Sequence, residues 1–218
     1  VEINSMIEQF GIETVHSYMN HVQDNAEECI RNAIVNLREG KYEYELDNGE
    51  FIRVKITIDK IKREATIDFT GTAPKNPFNY NAPMAVCHAV ILYVFRTLVG
   101  SNIPLNEGCF KPLNIIVPNN SMINAKYPSA VIAGNTEVSQ LTCNALFGAL
   151  GIIAGSQATM NNFIWGNDKI QNYETICGGT GAGPNFHGTS AVQTHMTNTR
   201  STDPEILEAR FPVRLEEY

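Results

Sequence analysis

A chain of 218 residues, 43% of them apolar, is long enough to bury a substantial core, and its composition excludes general disorder. Its formal charge of −7, without any run of lysines or arginines, excludes the basic surface that nucleic acids need and disfavours an anionic membrane. The five cysteines stand singly, with no C-x-x-C pair, which argues against a disulfide framework and a structural zinc site. We therefore expect buried thiols and a cytoplasmic protein that binds neither nucleic acid nor membrane.

The first 40 residues carry apolar side chains at helical spacing. Those between 6 and 10 predict a short helix that ends at Gly11. A second stripe between 15 and 37 predicts one or two more helices, with a break near Asp24.

The period then changes from helical to two. Residues 52–58 alternate between apolar and polar side chains, which predicts a half-buried strand, and residues 65–69 form the returning strand of a hairpin. His88 is expected to be a core histidine. The remaining predicted elements are a largely apolar helix at 84–99, a strand at 113–117, a helix rich in small residues at 137–154, and a hairpin or loop at 161–173.

Strands and helices are interleaved without regular βαβ spacing, and this favours an α+β fold. We expect a mixed sheet of hairpins and strands packed by several helices. No linker or repeat divides the chain, so the prediction is one unit with a helical segment at 1–40 and a mixed α/β body at 41–218.

Four glycines between 178 and 183 open a polar stretch that does not fit the nucleotide-binding signatures. A Walker loop requires a lysine after its last glycine, whereas Gly183 is followed by Pro184. Pro184 also stands where a dinucleotide fingerprint has its third glycine. A surface loop or a backbone nest for an anion both remain open.

Other polar groups near this stretch have simple structural explanations. Asp203 can cap a helix that has Pro204 at its first position, and Asn135 with Glu137 can serve as a cap and a first-turn acid. His187, His195 and Asp203 are too far apart in sequence to predict a metal site, and no metal ligand is assigned.

Several stretches, in order along the chain, resemble the hydantoinase B/5-oxoprolinase family. They are DFTGT at 68–72, IPLNEGC at 103–109, AGNTEVSQ at 133–140, GGTGAGPNFHGTSAV at 178–192 and THMTNTRSTDPEILEARFPV at 194–213. The resemblance implies ATP-dependent opening of a cyclic amide, from 5-oxoproline to glutamate or from a hydantoin to an N-carbamoyl amino acid. It further implies that a hydantoinase A-like subunit or fused part uses ATP to activate the ring carbonyl. The part that this chain resembles would then complete hydrolysis, and we expect an oligomeric assembly.

This chemistry needs a base, a positioned water and donors for the developing oxyanion. On this hypothesis the base is His195 or Glu137. The predicted substrate-binding residues are Asp68, Thr70, Asn135, Gly179, Thr180, Gly181, Asn198 and Thr199. Backbone N–H groups from 179 to 182, with Asn198, would be the oxyanion donors.

The sequence starts at Val1 and ends soon after the last motif, so we expect it to be one piece of a longer protein that is inactive by itself. The resemblance places a possible divalent metal in an upstream segment. Two alternatives stay open: a subunit of an acetone- or acetophenone-type ATP-dependent carboxylase, and a non-catalytic scaffold that docks the ATPase partner.

Overall fold

The computed structural model describes residues 1–217, which contain five α-helices and six strands. The helices are α1 (Glu2–Phe10), α2 (Ile12–Ile34), α3 (Met84–Thr97), α4 (Ser139–Leu150) and α5 (Pro204–Arg210). The strands are β1 (Gly40–Glu45), β2 (Phe51–Asp59), β3 (Glu64–Asp68), β4 (Leu113–Ile116), β5 (Asn161–Gly166) and β6 (Gln171–Ile176). A 3₁₀ turn (Glu107–Phe110) and a π-helical turn (Gly134–Val138) complete the order and confirm the predicted α+β class.

The main sheet has the order β1-β2-β3-β4. Its first three strands are antiparallel, β4 joins β3 in parallel, and β5 and β6 form a separate antiparallel ribbon. Ile56 pairs with Ile67 and both are fully buried, so they lie on the face that the helices cover. The neighbouring pair is Lys55 with Asp68. Because successive side chains of a strand point to opposite faces, Asp68 lies on the other, open face of the sheet.

Helix α4 lies at the centre of the molecule. It packs on β1, β2 and α3, and of its residues only Gly148 is not fully buried. Two of its small residues make close contacts: Gly148 lies against the Tyr42 ring, and Ala149 lies against Gly40 of β1. The helix ends at Gly151, whose φ of 64° gives the left-handed turn that favours glycine. It therefore stops earlier than the predicted residue 154.

The structure corrects three other predictions. Helix α2 runs without a break past Asp24, because Ala26, Ile30 and Ile34 continue its buried stripe. Strand β1 was not predicted, since its Lys-Tyr-Glu-Tyr-Glu run is largely exposed. His88 is exposed on α3 and contacts the Phe110 ring at 5.5 Å, so it is not a core histidine.

Helix α2 and the sheet share one hydrophobic core, which contains Ile30 of α2 and Val54 of β2. The division at residue 40 thus stays a prediction. Within residues 1–217, no helix combines the length and apolarity that crossing a bilayer requires.

We predict that Gly40→Ala destabilises the protein because β1 and α4 approach there without room for a side chain. A Cβ at this position would lie 1.9 Å from the Ala149 carbonyl oxygen. The expected loss in the free energy of unfolding is about 1–3 kcal/mol, as for other overpacked sites, and urea denaturation measures it. Gly100→Ala is the matched control, because nothing lies within 4 Å of its Cβ position. Equal stability of the two variants would contradict the close packing of β1 on α4.

Candidate functional site

Glu137 lies in the π-helical turn that precedes α4, and its carboxylate is held by a hydroxyl group. The Oγ1 atom of Thr159 donates a 2.5 Å hydrogen bond to Glu137 Oε1. The turn is anchored on both sides: the Thr136 carbonyl accepts the Met160 N–H at 3.0 Å, and the Asn135 carbonyl accepts the Ser139 hydroxyl at 2.9 Å. The Glu137 side chain is thus fixed in position, while Asn135 itself is exposed.

Glu137 lines a cavity of 650 Å³, called the Glu137 cavity below. Its walls come from the end of β1, the loop before α3, the start of α4 and the segment before β5. They are Tyr44, Glu45, Leu46, Asp47, Asn48, Tyr80, Glu137, Leu141, Gln157, Ala158 and Thr159. Three of these described residues are acidic and none is Lys, Arg or His, so the cavity favours a neutral or positively charged group over an anion.

The glycine-rich stretch forms a narrow hairpin rather than an open loop. Isolated bridges pair Gly179 with Ser190 and Gly183 with Phe186. The N–H of Thr180 donates to the Thr189 carbonyl at 2.9 Å, and the N–H of Thr189 donates to Thr180 Oγ1 at 2.8 Å. The backbone N–H of Thr180 is therefore already engaged, which leaves it unavailable as an oxyanion donor in this conformation.

Packing accounts for one glycine of the hairpin. A Cβ at Gly181 would lie 1.9 Å from the Ala154 carbonyl oxygen, so the hairpin can sit against the end of α4 only without a side chain there. A Cβ at Gly178 would lie 2.6 Å from Gln157 Oε1. Because Gln157 also lines the Glu137 cavity, the base of the hairpin borders that cavity.

His195 is packed between aromatic rings of α3 and α4. Its ring centroid lies 5.8 Å from that of Tyr93 and 5.2 Å from that of Phe147. Its Nδ1 is 3.3 Å from the Tyr93 hydroxyl, and its Nε2 is buried without a hydrogen-bond partner among residues 1–217. Burial lowers the pKa of His195 below 6.5, so the ring is neutral at physiological pH.

A buried glutamine holds the turn that carries His195. Gln140 of α4 donates from Nε2 to the Thr197 hydroxyl, and its Oε1 accepts the Met196 N–H at 3.3 Å. His195 has a φ of 52°, in a region that non-glycine residues rarely occupy. The residues from 194 to 197, called the His195 turn, thus keep their shape through contacts with α4.

The two predicted bases lie in different places along α4. Glu137 precedes the helix, whereas the ring of His195 packs on Phe147. The backbone of the His195 turn is held by Gln140, three residues after Glu137. The Glu137 carboxylate borders its cavity, whereas the His195 ring lies between Tyr93 and Phe147.

The other predicted site residues do not line the Glu137 cavity. Asp68 lies on the open face of the sheet, where its carboxylate accepts the Thr70 N–H at 2.8 Å. Asn198 and Thr199 are exposed and form no hydrogen bond within residues 1–217. Their role in substrate binding stays a prediction, as does that of Asn135.

Sequence reasoning missed three residues that organise the site: Thr159, Gln140 and Gln157. Gln140 lies inside the AGNTEVSQ stretch, and its role could have been predicted, because a glutamine in an apolar helix requires a hydrogen-bond partner. Thr159 and Gln157 lie in a segment whose composition does not indicate a functional site. In the described part of the chain, no group of three or more His, Cys, Asp or Glu side chains is placed to hold a metal ion.

Comparison with known proteins agrees with the resemblance seen in the sequence. The family model described as "Hydantoinase B/oxoprolinase" matches residues 1–218. The chain is 44% identical over 235 residues to 5-oxoprolinase 1 of Arabidopsis thaliana, and the alignment covers 99% of this chain but 18% of that relative.

Two solved structures share the fold at low identity. An ATP-dependent caprolactamase from Pseudomonas jessenii is 20% identical with a TM-score of 0.75, and the match covers 99% of this chain and 41% of that one. An acetone carboxylase is 15% identical with a TM-score of 0.69, and the match covers 95% and 32% of the two chains. The family match over every residue carries the assignment: the chain belongs to the hydantoinase B/oxoprolinase family.

Proposed function

We propose that this chain is the ring-opening part of an ATP-dependent cyclic-amide hydrolase, with 5-oxoproline or a hydantoin as substrate. A hydantoinase A-like subunit or fused part would consume ATP to activate the ring carbonyl. The observation that carries the proposal is the Glu137 carboxylate, held by Thr159 at the wall of a 650 Å³ cavity. The 44% identity to a 5-oxoprolinase supports this substrate class.

Glu137 would serve as the general base, and later as the acid, of the hydrolysis. Water adds to the activated carbon as its proton passes to the Glu137 carboxylate. The carbon–nitrogen bond of the ring then breaks as the nitrogen takes up that proton, and the product at this stage is an acyl phosphate. A second water hydrolyses the acyl phosphate, which releases the activating phosphate and leaves the free carboxylate. A carboxylate fixed within reach of the attacking water typically accelerates such proton transfers by about 10²–10⁴-fold.

The charge of the Glu137 cavity suits the nitrogen end of the substrate. Glu45, Asp47 and Glu137 give its walls a negative potential, which favours the ammonium group that forms when 5-oxoproline opens to glutamate. The same potential disfavours the carboxylate of 5-oxoproline. That group would then lie outside the cavity, towards the predicted substrate-binding residues or the ATP-using part.

A divalent metal in an upstream segment, oligomer formation and a cytoplasmic location stay predictions. Inactivity of the isolated chain also stays a prediction, in keeping with its coverage of 18% of the length of the Arabidopsis relative.

The direct test is product analysis with the complete enzyme, ATP and either 5-oxoproline or hydantoin. We expect ATP-dependent formation of glutamate or an N-carbamoyl amino acid, without incorporation of bicarbonate. Formation of a carboxylated ketone from acetone, ATP and bicarbonate would contradict the proposal and assign carboxylase activity instead.

Glu137→Gln in the complete enzyme should lower kcat for ring opening by at least about 10²-fold, because the amide cannot accept a proton. Thr159→Val should lower kcat several-fold with little change in KM, because the carboxylate remains but loses its fixed position. Asp168→Asn is the matched control, being an exposed acid in the β5–β6 turn that does not line the cavity, and should leave kcat within about two-fold. A Glu137→Gln enzyme as active as this control would exclude Glu137 as the base.

The stability of the protein should depend on pH through His195. Its pKa is lowered in the folded state by burial, so the unfolded chain binds a proton more readily. The stabilising contribution of the neutral ring is therefore present above pH 6.5 and is lost as pH falls towards the lower folded-state pKa. Between roughly pH 7.5 and pH 5.5, wild type should lose more free energy of unfolding than His195→Phe, which keeps an aromatic ring against Tyr93 and Phe147. Urea titrations at each pH measure the free energy of unfolding. An equal pH dependence of this free energy in the two proteins would contradict a buried, neutral His195.

A further inference from the structure

The proposed hydrolysis needs an N–H donor for the oxygen on the reacting carbon, because this oxygen gains negative charge when water adds. The Thr180 N–H is engaged within the hairpin, and Asn198 does not line the Glu137 cavity. The described residues that line the cavity include no Lys, Arg or His. A donor supplied by this chain is therefore a neutral group on the cavity wall.

Gln157 lines this cavity, and a neighbouring strand fixes the orientation of its amide. The Nδ2 atom of Asn161 donates to the Ile176 carbonyl at 3.3 Å and to Gln157 Oε1 at 3.0 Å. Because a backbone carbonyl only accepts, the group that Asn161 turns towards it is the NH₂ group. The second hydrogen of that group requires an acceptor, which sets Gln157 Oε1 towards Asn161. Its Nε2 forms no hydrogen bond within residues 1–217 and is free to donate.

The backbone around Gln157 is also held in place. The Ser156 N–H donates to a buried asparagine of α4 at 3.1 Å, and the Thr159 hydroxyl donates to Glu137. Between these two residues, Ala158 is buried with a φ of 66°, in the left-handed region that is strained for a non-glycine residue. Such strain persists where surrounding contacts impose it, and it is concentrated at functional sites. This segment thus carries both an amide donor and the support of the proposed base.

Tyr44 and Tyr80 also line the cavity and carry hydroxyl donors. Neither hydroxyl forms a hydrogen bond within residues 1–217, so no such bond fixes its direction. A donor that is already oriented stabilises developing charge best, because it does not have to reorganise during the reaction. The fixed amide therefore favours Gln157 over the two tyrosines.

We propose that Gln157 Nε2 donates a hydrogen bond to the oxygen on the reacting carbon, and that Asn161 is the residue that positions it. This inference rests on the proposed function, because it assigns a further role in the same ring opening. In the acyl phosphate this oxygen is the carbonyl oxygen. As the second water adds and its proton passes to Glu137, an electron pair of the carbonyl moves onto the oxygen, where the Gln157 N–H stabilises it. The pair then re-forms the carbonyl as the bond to the phosphate oxygen breaks, and the phosphate leaves with the electrons of that bond.

Gln157→Leu in the complete enzyme tests the donor itself. With 5-oxoproline and ATP, kcat for glutamate formation should fall about 10²-fold, as for the loss of one oxyanion donor. KM should change less than about threefold, because the N–H acts on charge that develops in the transition state. Gln157 is exposed, so the variant should keep the melting temperature of wild type.

Asn161→Asp tests the positioning without changing Gln157. A carboxylate at 161 cannot donate, so the Gln157 amide should reverse to donate Nε2 to it, with Oε1 turned to the cavity. The loss in kcat should approach that of Gln157→Leu, and the double variant should lose little more, because both changes remove the same N–H. Asn167→Asp in the β5–β6 turn is the matched control. Its side chain accepts from the N–H groups of Lys169 and Ile170, as a carboxylate also does, and kcat should stay within about twofold.

The outcomes separate this inference from the proposed function. A wild-type enzyme that forms no glutamate from 5-oxoproline overturns both. An active wild type together with a Gln157→Leu enzyme as fast as the Asn167→Asp control overturns the donor role and leaves the proposed function standing. Additive losses in the double variant overturn the positioning role, because Asn161 would then act independently of Gln157.

Discussion

The burial of α4 is the constraint on which the rest of the structure depends. A helix enclosed on nearly every side must satisfy each of its polar side chains within the protein, because an unpaired buried group costs about 1–3 kcal/mol. Gln140 meets this requirement by holding the His195 turn, and Asn144 by accepting the Ser156 N–H at 3.1 Å. Two segments distant in sequence are thereby fixed to one helix, and the shape of the site follows from the hydrogen-bonding needs of the core rather than from the loops themselves.

This arrangement separates two polar groups that would have competed for one role. Glu137 has a hydroxyl donor and borders open space, whereas His195 is enclosed by Tyr93 and Phe147 with a depressed pKa. A neutral, enclosed imidazole contributes mainly to the packing of α3 against α4, as does any aromatic ring of that size. On the proposed mechanism, proton transfer falls to Glu137, because its carboxylate borders open space whereas the His195 ring is enclosed.

The sequence was sufficient for elements whose periodicity reflects burial. Strand β2 and helix α3 were predicted within one or two residues, because alternating or helical apolar spacing is produced directly by the core. Strand β1 could not be predicted in this way, because its mostly exposed side chains show no apolar alternation and its position depends on contact with α4. The site was less predictable for the same reason: the bond from Thr159 to Glu137 joins residues 22 apart in sequence, and no local pattern encodes it. The long motif stretches identified the family, but they did not indicate which of their polar residues share a cavity.

The hairpin at 178–191 and the Glu137 cavity suggest a reason why the proposed ring opening would be divided between this chain and an ATP-using part. Gly181 packs closely on Ala154, and the Thr180 N–H, one of the predicted oxyanion donors, is used within the hairpin. The cavity beside it is acidic, and the described residues that line it include no Lys, Arg or His. A phosphate on the ring oxygen nevertheless needs positive charge or a cluster of N–H donors as it leaves. On the proposed mechanism those groups must come from the ATP-using part, which would hold the phosphate while this chain handles the proton and the ring nitrogen. Neither part could then open the ring by itself, because each would lack the charge that the other supplies.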